Sequence, residues 1–262
     1  MNIGLVLSGG GSRGVAHIGV IKALEEHQIV PTHITGSSAG AIVGALYAYG
    51  YNSEDIFKFF KDIQILNIKK YALGKPGFID AEKFYDEFKS YLKEDNFNVL
   101  QKSLTITTTD ILNGTLKTFS SGELIKPLLA SAAVPGVFSP VQMEDSYYVD
   151  GGVLNNFPIE FLQKHFDTLI GSYANWMDNI SIKDLKHSYQ VIERAFKIQS
   201  VKKDYTKFKY CDLIIAPKAL SKFGTFDKKH LDEIFNIGYN TTKEALTNNP
   251  LHKLKPFFRV TS

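Results

Sequence analysis

The first 26 residues combine an apolar run, a cluster of glycines and a helix-forming segment. Residues 3–7 form a short, mostly apolar run of strand length, and G-G-G-S-R-G follows at 9–14. From residue 15 the sequence VAHIGVIKALEEH places apolar side chains at helical spacing. Parallel strands need a crossover connection, usually a helix, and a buried strand that turns tightly into a helix begins such a unit. This feature favours an α/β fold built on parallel strands.

The same alternation continues along the chain. Further strands are predicted at 33–35, 104–110, 115–120, 146–150, 168–173 and 212–216, and helices at 39–49, within 53–93, and at 122–133, 182–203 and 227–246. Asn113 and Gly114 predict a hairpin turn between two of these strands. We therefore expect a three-layer α/β/α sandwich with a mostly parallel central sheet. Because the chain shows no repeat or linker, residues 1–262 are expected to form a single domain.

Composition excludes several classes of protein. With 44% hydrophobic and 22% charged residues, the chain is typical of globular proteins and unlike disordered ones. A formal net charge of +3 is too small to predict a nucleic-acid partner. The one cysteine, Cys211, allows no internal disulfide and favours a reducing compartment. The N-terminus lacks a signal-peptide pattern, and no apolar run approaches the ~18 residues of a membrane span. We expect a cytoplasmic protein, with peripheral contact to a membrane left open.

The glycine loop at 9–14 matches G-x-G-x-x-G and has three interpretations. A dinucleotide site would need an acidic residue after the second strand, where H-I-T-G stands instead, and a P-loop would need Gly-Lys-Ser/Thr. Glycines at a helix N-terminus also leave backbone amides approachable in a region of positive potential, which suits an oxyanion. The third interpretation is a tight turn without a ligand. Taken alone, the loop does not decide between nucleotide, oxyanion and turn.

G-S-S-A-G at 36–40 matches the G-x-S-x-G pattern of serine hydrolases, with Ser38 in the nucleophile position. The motif joins a predicted strand to a helix of small residues, which is the setting of a nucleophile elbow. Gly36 and Gly40 permit a sharp turn and close packing of that helix. In α/β-hydrolases the serine lies well into the sheet and precedes the acid and the histidine. Ser38 follows only the second strand, so the sequence does not fit that architecture.

The histidines offer Ser38 little as a general base. Three of the seven precede the serine, and His187 and His230 fall in polar helical stretches typical of a surface. His165 precedes a strand. His252, in the irregular C-terminal segment, is the one with a loop setting suited to a triad, and it remains the alternative base.

Asp150 is the stronger candidate for the base. It ends a predicted strand in YYVDGG, and Gly151 and Gly152 permit close approach by another backbone. The C-terminal ends of parallel strands gather at one edge of a sheet, which would bring Asp150 near Ser38. A buried aspartate within hydrogen-bond reach of a hydroxyl can act as its base. A lone D-G-G is otherwise an ordinary turn.

Taken together, G-G-G-S-R-G at 9–14, G-S-S-A-G at 36–40 and D-G-G at 150–152 resemble the patatin-like phospholipase family, in its bacterial, single-domain form. Three further segments are similar to that family: RGVAHIGVIKALEE at 13–26, DILNGTLKTFSSG at 110–122 and ASAAVPGVFSP at 130–140. The resemblance covers residues 3 to about 175. Ser8 and Ser37 depart from it, since some members have Asp and most have Thr at these positions.

The resemblance implies an α/β/α fold and a Ser-Asp dyad that works without histidine, metal or organic cofactor. Ser38 would be the nucleophile, Asp150 the proton acceptor, and the amides of Gly9, Gly10 and Gly11 the oxyanion hole. Arg13 would hold the loop in shape, with a phosphate contact as the alternative. The remaining motif glycines are Gly14, Gly36, Gly40, Gly151 and Gly152.

The function implied is a serine acyl hydrolase of lipids, of the phospholipase A or lysophospholipase type. The alternatives are a nucleotide-binding module that uses the glycine loop, and a thioesterase or acyltransferase with the same site. The phenylalanine-rich segment 56–92 and the basic segment 197–210 are candidates for an acyl-chain wall, a lid or a membrane contact. Ordinary core phenylalanines and a solvated lysine face are the interpretation favoured for 56–92.

Overall fold

The computed structural model describes residues 2–63, 70–162, 166–185 and 187–248. The strands are β1 (Ile3–Leu7), β2 (His33–Ser37), β3 (Ser103–Asp110), β4 (Thr115–Phe119), β5 (Val141–Met143), β6 (Ser146–Asp150), β7 (Thr168–Ser172) and β8 (Leu213–Ile215). The helices are α1 (Ala16–Glu26), α2 (Ala39–Tyr49), α3 (Ser53–Asp62), α4 (Tyr85–Tyr91), α5 (Ile125–Ser131), α6 (Ser188–Lys207) and α7 (Leu231–Asn248). A short 3-10 helix, Gly11–Val15, connects β1 to α1.

The eight strands of the described chain form one mixed sheet. Seven of them follow the order β5-β6-β3-β2-β1-β7-β8, and β4 pairs with β3 outside this path. Pairing is parallel from β3 through β2, β1 and β7 to β8, and antiparallel where β4, β5 and β6 join. This arrangement confirms the predicted sandwich with a mostly parallel sheet. The single-domain assignment stays a prediction.

Helices cover both faces of the sheet. Leu5 and Leu7 of β1 are fully buried in the larger core cluster, together with side chains of α1, α2 and α7. Val6, between them, points to the other face and belongs to a smaller cluster with Phe157 and Tyr173, against which the end of α6 packs. Successive strand residues face opposite sides, so β1 serves both cores and forms the centre of three layers. No helix in the described ranges combines the length and apolar character needed to cross a membrane.

The pairing register brings the ends of β2 and β6 together. The β3 residues 106 and 107 pair with both β2 and β4, so these two strands lie on opposite edges of β3. The β3 residues 108–110 pair with both β4 and β6, so β6 shares the edge that β2 uses. Ser37, the last residue of β2, pairs with Thr107, and Asp150, the last residue of β6, pairs with Thr108. The two strands therefore run towards each other and end at adjacent positions of β3.

Most predicted elements are confirmed near their expected bounds. The strands β1 and β6 and the helix α2 have the predicted ends, and Asn113 and Gly114 form the turn between β3 and β4. The three-residue strand β5 was not predicted, because V-Q-M is too short to show an alternating pattern. Within the predicted helical region 53–93, residues 64–69 lie outside the described ranges.

Helix α2 packs close to β1 because its second residue is glycine. A Cβ atom at Gly40 would lie 2.4 Å from the carbonyl oxygen of Leu7 and 2.5 Å from that of Ser8. Both contacts are with backbone, which cannot rotate out of the way. The absence of a side chain at this position therefore sets the distance between α2 and the glycine loop that begins after β1.

We expect the substitution Gly40→Ala to lower the free energy of unfolding by about 1–3 kcal/mol, the cost of overpacking a well-packed core. Chemical denaturation followed by circular dichroism measures the change. Gly224→Ala is the matched control, because a Cβ atom there meets no atom within 4 Å. Equal stability of the two variants would contradict the close approach of α2 to β1.

Candidate active site

The predicted site residues lie together at the C-terminal edge of the parallel strands. The glycine loop follows β1, Ser38 follows β2, and Asp150 ends β6 at the point where β6 meets β2. This edge is where ligands bind in open α/β sheets. The structure thus brings all three motifs of the sequence to one place.

Ser38 occupies a strained turn between β2 and α2. Its φ of 52° and ψ of −127° lie in a region that residues with side chains rarely adopt, at a cost of about 1–3 kcal/mol. The backbone N–H of Ser38 donates to the hydroxyl of Ser131 (2.8 Å), and that hydroxyl donates to the carbonyl of Thr107 (2.7 Å). Ser131 therefore ties the turn to β3. The geometry is that of a nucleophile elbow at the N-terminus of a helix.

The Asp150 carboxylate lies beside the Ser38 hydroxyl. It accepts a hydrogen bond from the backbone N–H of Gly152 (2.7 Å). Burial of the side chain raises the pKa of Asp150 to about 6, although Ser38 and the Gly152 amide act in the opposite direction. The carboxylate is therefore mostly ionised at neutral pH, yet it has a higher proton affinity than an exposed aspartate.

His17 lies near the glycine loop but serves a structural role. It is fully buried, with Nε2 donating to the carbonyl of Ser8 (2.8 Å) and Nδ1 accepting from the hydroxyl of Ser172 (2.6 Å). Burial lowers the pKa of this imidazole to about 4, so it is neutral at physiological pH. Its hydrogen bonds hold the end of β1 against β7.

The other histidines are engaged elsewhere or lie beyond the described ranges. His27, His33 and His230 have hydrogen-bond partners in Ala23, Thr32 and Asp227 respectively. His187 is exposed at the start of α6. His165 and the alternative base His252 both lie outside the described residues. Three or more His, Cys, Asp or Glu side chains placed to hold a metal ion do not occur together in the part of the chain that is described.

The glycine loop presents two backbone amides rather than three. The N–H of Gly9 donates to the carbonyl of Asn156 (3.2 Å), and the N–H of Ser12 donates to the carbonyl of Thr225 (2.8 Å). Between them, the amides of Gly10 and Gly11 meet no acceptor within the described ranges. Gly11 has φ +58°, and a Cβ atom there would lie 2.4 Å from the Thr225 carbonyl oxygen. The amides of Gly10 and Gly11 are thus open to an anion, while the Gly9 amide is already bonded.

Arg13 connects the glycine loop to Phe223 and Thr225. The side chain is 2% exposed, and its guanidinium donates to the carbonyl of Phe223 (2.8 Å) and to the Thr225 hydroxyl (3.3 Å). It also contacts Asn175 and forms an ion pair with Glu193 at 3.5 Å. These partners favour loop support for Arg13, and the phosphate contact stays a prediction.

Two cavities meet at Ser38, and both also touch Gly11, Val134 and Thr225. The first encloses about 840 Å³ with its open mouth included. Its wall is largely apolar, with Ser12 and Lys228 as polar members beside Ala39, Ile42, Phe59, Phe60, Ile63, Ala81, Phe84, Phe88, Leu129, Ala132, Phe138, Phe226 and Leu231. The second encloses about 530 Å³ and exposes mostly apolar surface, but charged and polar side chains also line it: Arg13, Asp150, Asn156, Asn175, Glu193, Lys197 and Ser200. The phenylalanine-rich segment is therefore both core and cavity wall.

Several residues of the site were not identified from the sequence. Ser131 stands in the segment 130–140 that carries the resemblance, but its role needs the fold. Asn156, Thr225 and Glu193 act through backbone or long-range contacts that no local pattern announces. Lys197 belongs to the basic segment 197–210, whose spacing suits a solvated helix equally well, yet its side chain is only 15% exposed.

Comparison with known proteins agrees with this geometry. The chain is 27% identical over 268 residues to the lysophospholipase NTE1 of Scheffersomyces stipitis, covering 91% of this chain and 17% of that protein. It is 35% identical over 159 residues to an uncharacterized NTE family protein of Mycobacterium bovis, covering 60% of this chain and 44% of the relative. The chain thus spans less than half the length of these two relatives.

Among solved structures, VipD from Legionella pneumophila has a similar fold. The TM-score is 0.60 at 17% sequence identity, with 94% of this chain and 67% of that chain covered. The model of the patatin-like phospholipase family matches residues 5–162. This match includes the glycine loop, the Ser38 elbow and Asp150, and extends over more than half of the sequence. The chain belongs to the patatin-like phospholipase family.

Proposed function

We propose that the protein hydrolyses acyl esters of lipids, as a phospholipase A or lysophospholipase, with Ser38 as nucleophile and Asp150 as its base. The observation that carries this proposal is the position of the buried Asp150 carboxylate beside the Ser38 hydroxyl, where the two cavities meet. Membership of a phospholipase family and similarity to a protein named lysophospholipase support the substrate class.

The reaction proceeds in two acyl-transfer steps. Asp150 accepts the Ser38 proton as Oγ attacks the ester carbonyl, and the amides of Gly10 and Gly11 stabilise the oxyanion that forms. Collapse of this intermediate releases the alcohol, which takes the proton from Asp150 and leaves an acyl-serine. Water then attacks the acyl-serine, with Asp150 accepting its proton, and Ser38 is regenerated with release of the fatty acid.

The apolar cavity suits the acyl chain of such a substrate. Phe59, Phe84 and Phe88 are buried and form part of its wall. Each methylene that moves from water into this environment contributes about 0.8 kcal/mol. The same nucleophile could attack a thioester or pass the acyl group to another alcohol. Assays with matched phospholipids, lysophospholipids, short-chain esters and thioesters distinguish these alternatives.

We expect an active-site fluorophosphonate to label Ser38 in the unaltered protein. Asp150→Asn should lower kcat for ester hydrolysis by about 10²- to 10⁴-fold, because the amide cannot accept the Ser38 proton. Labelling is measured by mass spectrometry and hydrolysis with a chromogenic ester.

The histidine alternatives provide the controls for this experiment. His252→Ala and His230→Ala should each retain most of the activity. A large loss in His252→Ala together with activity in Asp150→Asn would contradict the dyad. Absence of any label on Ser38 would remove the hydrolase proposal and favour a nucleotide-binding role for the glycine loop.

The raised pKa of Asp150 predicts an acidic limb in the pH profile. Below pH about 6 the carboxylate is protonated and cannot accept the Ser38 proton, so kcat/KM should rise with pH and level off above 7. At pH 5, one unit below this pKa, the expected rate is about a tenth of the plateau.

Acid unfolding through Asp150 does not explain such a loss of activity. A carboxyl group whose pKa is raised in the folded protein makes that protein more stable, relative to the unfolded chain, as the pH falls. Burial raises the pKa of Asp204 to about 6 as well, so Asp204→Asn is the control and should keep the acidic limb. A profile that stays flat from pH 5 to 8 would contradict Asp150 as the base.

Contact with a lipid surface is the second part of the proposal. Leu73 is 87% exposed and Phe78 is 74% exposed, in the segment that reaches Val137 and Phe138 at the wall of the apolar cavity. Lys75, which lies between these two residues in the sequence, is paired with Asp80 and Glu82. The contact is therefore expected to be apolar and weakly dependent on salt.

We expect the double substitution Leu73→Asp, Phe78→Asp to lower binding to phosphatidylcholine vesicles at least about tenfold, as charged side chains replace exposed apolar ones. Cosedimentation at low and high salt measures the binding. Val30→Asp is the matched control, because Val30 is half exposed and precedes β2, at the opposite edge of the sheet. Equal binding by all three proteins would exclude this surface.

A further inference from the structure

The second cavity beside Ser38 is lined by two cationic side chains, Arg13 and Lys197. Arg13 and Lys197 both contact the same carboxylate, with Glu193 at 3.5 Å from the guanidinium and 3.1 Å from the ammonium. Arg194 adds a further positive charge near Lys197. Asp150, which also lines this cavity, accepts from the Gly152 amide and lies beside Ser38. Glu193 is therefore shared by two cationic groups, and it neutralises the Lys197 ammonium only in part.

Lys197 differs from Arg13 in what its donors reach. Arg13 is almost fully buried and donates to Phe223, Asn175 and Thr225 in addition to Glu193. An ammonium has three N–H donors, and within the described ranges Glu193 is the one acceptor that Lys197 reaches. Burial lowers the pKa of Lys197 to about 8, because the charge is poorly solvated at this position. An anion in the cavity would solvate that charge and accept the remaining donors.

The position of the cavity suggests which part of a substrate such an anion belongs to. When Ser38 attacks an ester, the acyl chain and the alcohol portion extend from the carbonyl carbon in different directions. The first cavity fits the acyl chain, so the alcohol portion extends into the second cavity, which Lys197 lines. In a phospholipid or lysophospholipid, the alcohol portion carries a phosphate.

We propose that Lys197 binds the phosphate of the lipid alcohol portion and makes the site selective for phosphate-bearing acyl esters. This role rests on the proposed hydrolysis at Ser38 and specifies its substrate. Lys197 is a specificity-determining residue, while Arg13 holds the glycine loop.

The test compares two esters that share a decanoyl chain and differ in the phosphate, namely 1-decanoyl lysophosphatidic acid and 1-decanoylglycerol. We expect Lys197→Met to lower the ratio of their kcat/KM values about tenfold, the loss of one charge-assisted hydrogen bond. Lys197→Arg should restore most of the ratio. Lys202→Met, an exposed lysine of the same helix, should leave the ratio unchanged. The ratio is taken within each variant, so a loss of folded protein cancels.

Binding of dodecyl phosphate, measured by calorimetry, tests the phosphate site without hydrolysis. Lys197→Met should weaken it about tenfold and Lys202→Met should not. An unchanged ratio or equal affinities in Lys197→Met would overturn the role of Lys197 even if the protein is an active hydrolase. If the unaltered protein hydrolyses neither ester but binds dodecyl phosphate through Lys197, the anion site stands and the hydrolytic proposal fails.

Discussion

The site depends on the end-to-end meeting of β2 and β6 along one edge of β3. Because the two strands run in opposite directions and pair with adjacent residues of β3, their last residues are fixed close together by backbone hydrogen bonds. Ser38 and Asp150 are far apart in the sequence, yet neither needs a flexible loop to reach the other. Ser131 adds a second restraint, since one hydroxyl bridges the Ser38 amide and β3. The geometry proposed for catalysis is therefore set by the sheet itself.

Burial gives Asp150 a pKa close to that of an ordinary histidine. An exposed carboxylate is too weak a base to take a proton from a serine, and desolvation moves the pKa of Asp150 to about 6, near the ordinary value of imidazole. The same burial makes His17 an unsuitable base, because it disfavours a positive charge on the ring. One physical effect therefore strengthens the carboxylate as a base and weakens the imidazole, which favours the proposed dyad of Ser38 and Asp150 over one with His17.

Sequence reasoning predicted the fold and the three motifs, because each has a local signature. The β1 strand, the α2 helix and the hairpin at Asn113 and Gly114 follow from apolar spacing and turn residues. It did not predict that the Gly9 amide is bonded to Asn156, since that contact depends on how two distant loops pack. Nor could it separate Lys197 from its exposed neighbours in the basic segment, because burial of one lysine depends on the cavity that α6 faces. The strand β5 was not predicted, because three residues are too few to show a periodic pattern.

The hydrogen bonds that support the glycine loop determine when the site can form during synthesis of the chain. Ser12 and Arg13 are held by Thr225 and Phe223, and the Gly9 amide is held by Asn156, which in turn bonds to Asp204 of α6. During synthesis Ser38 is added early, whereas Asp204, Phe223 and Thr225 are added much later. A nascent chain that ends at β7 carries Ser38, Asp150 and Asn156 but lacks Asp204, Phe223 and Thr225. Full assembly of the amides is thus delayed until the last third of the protein has docked.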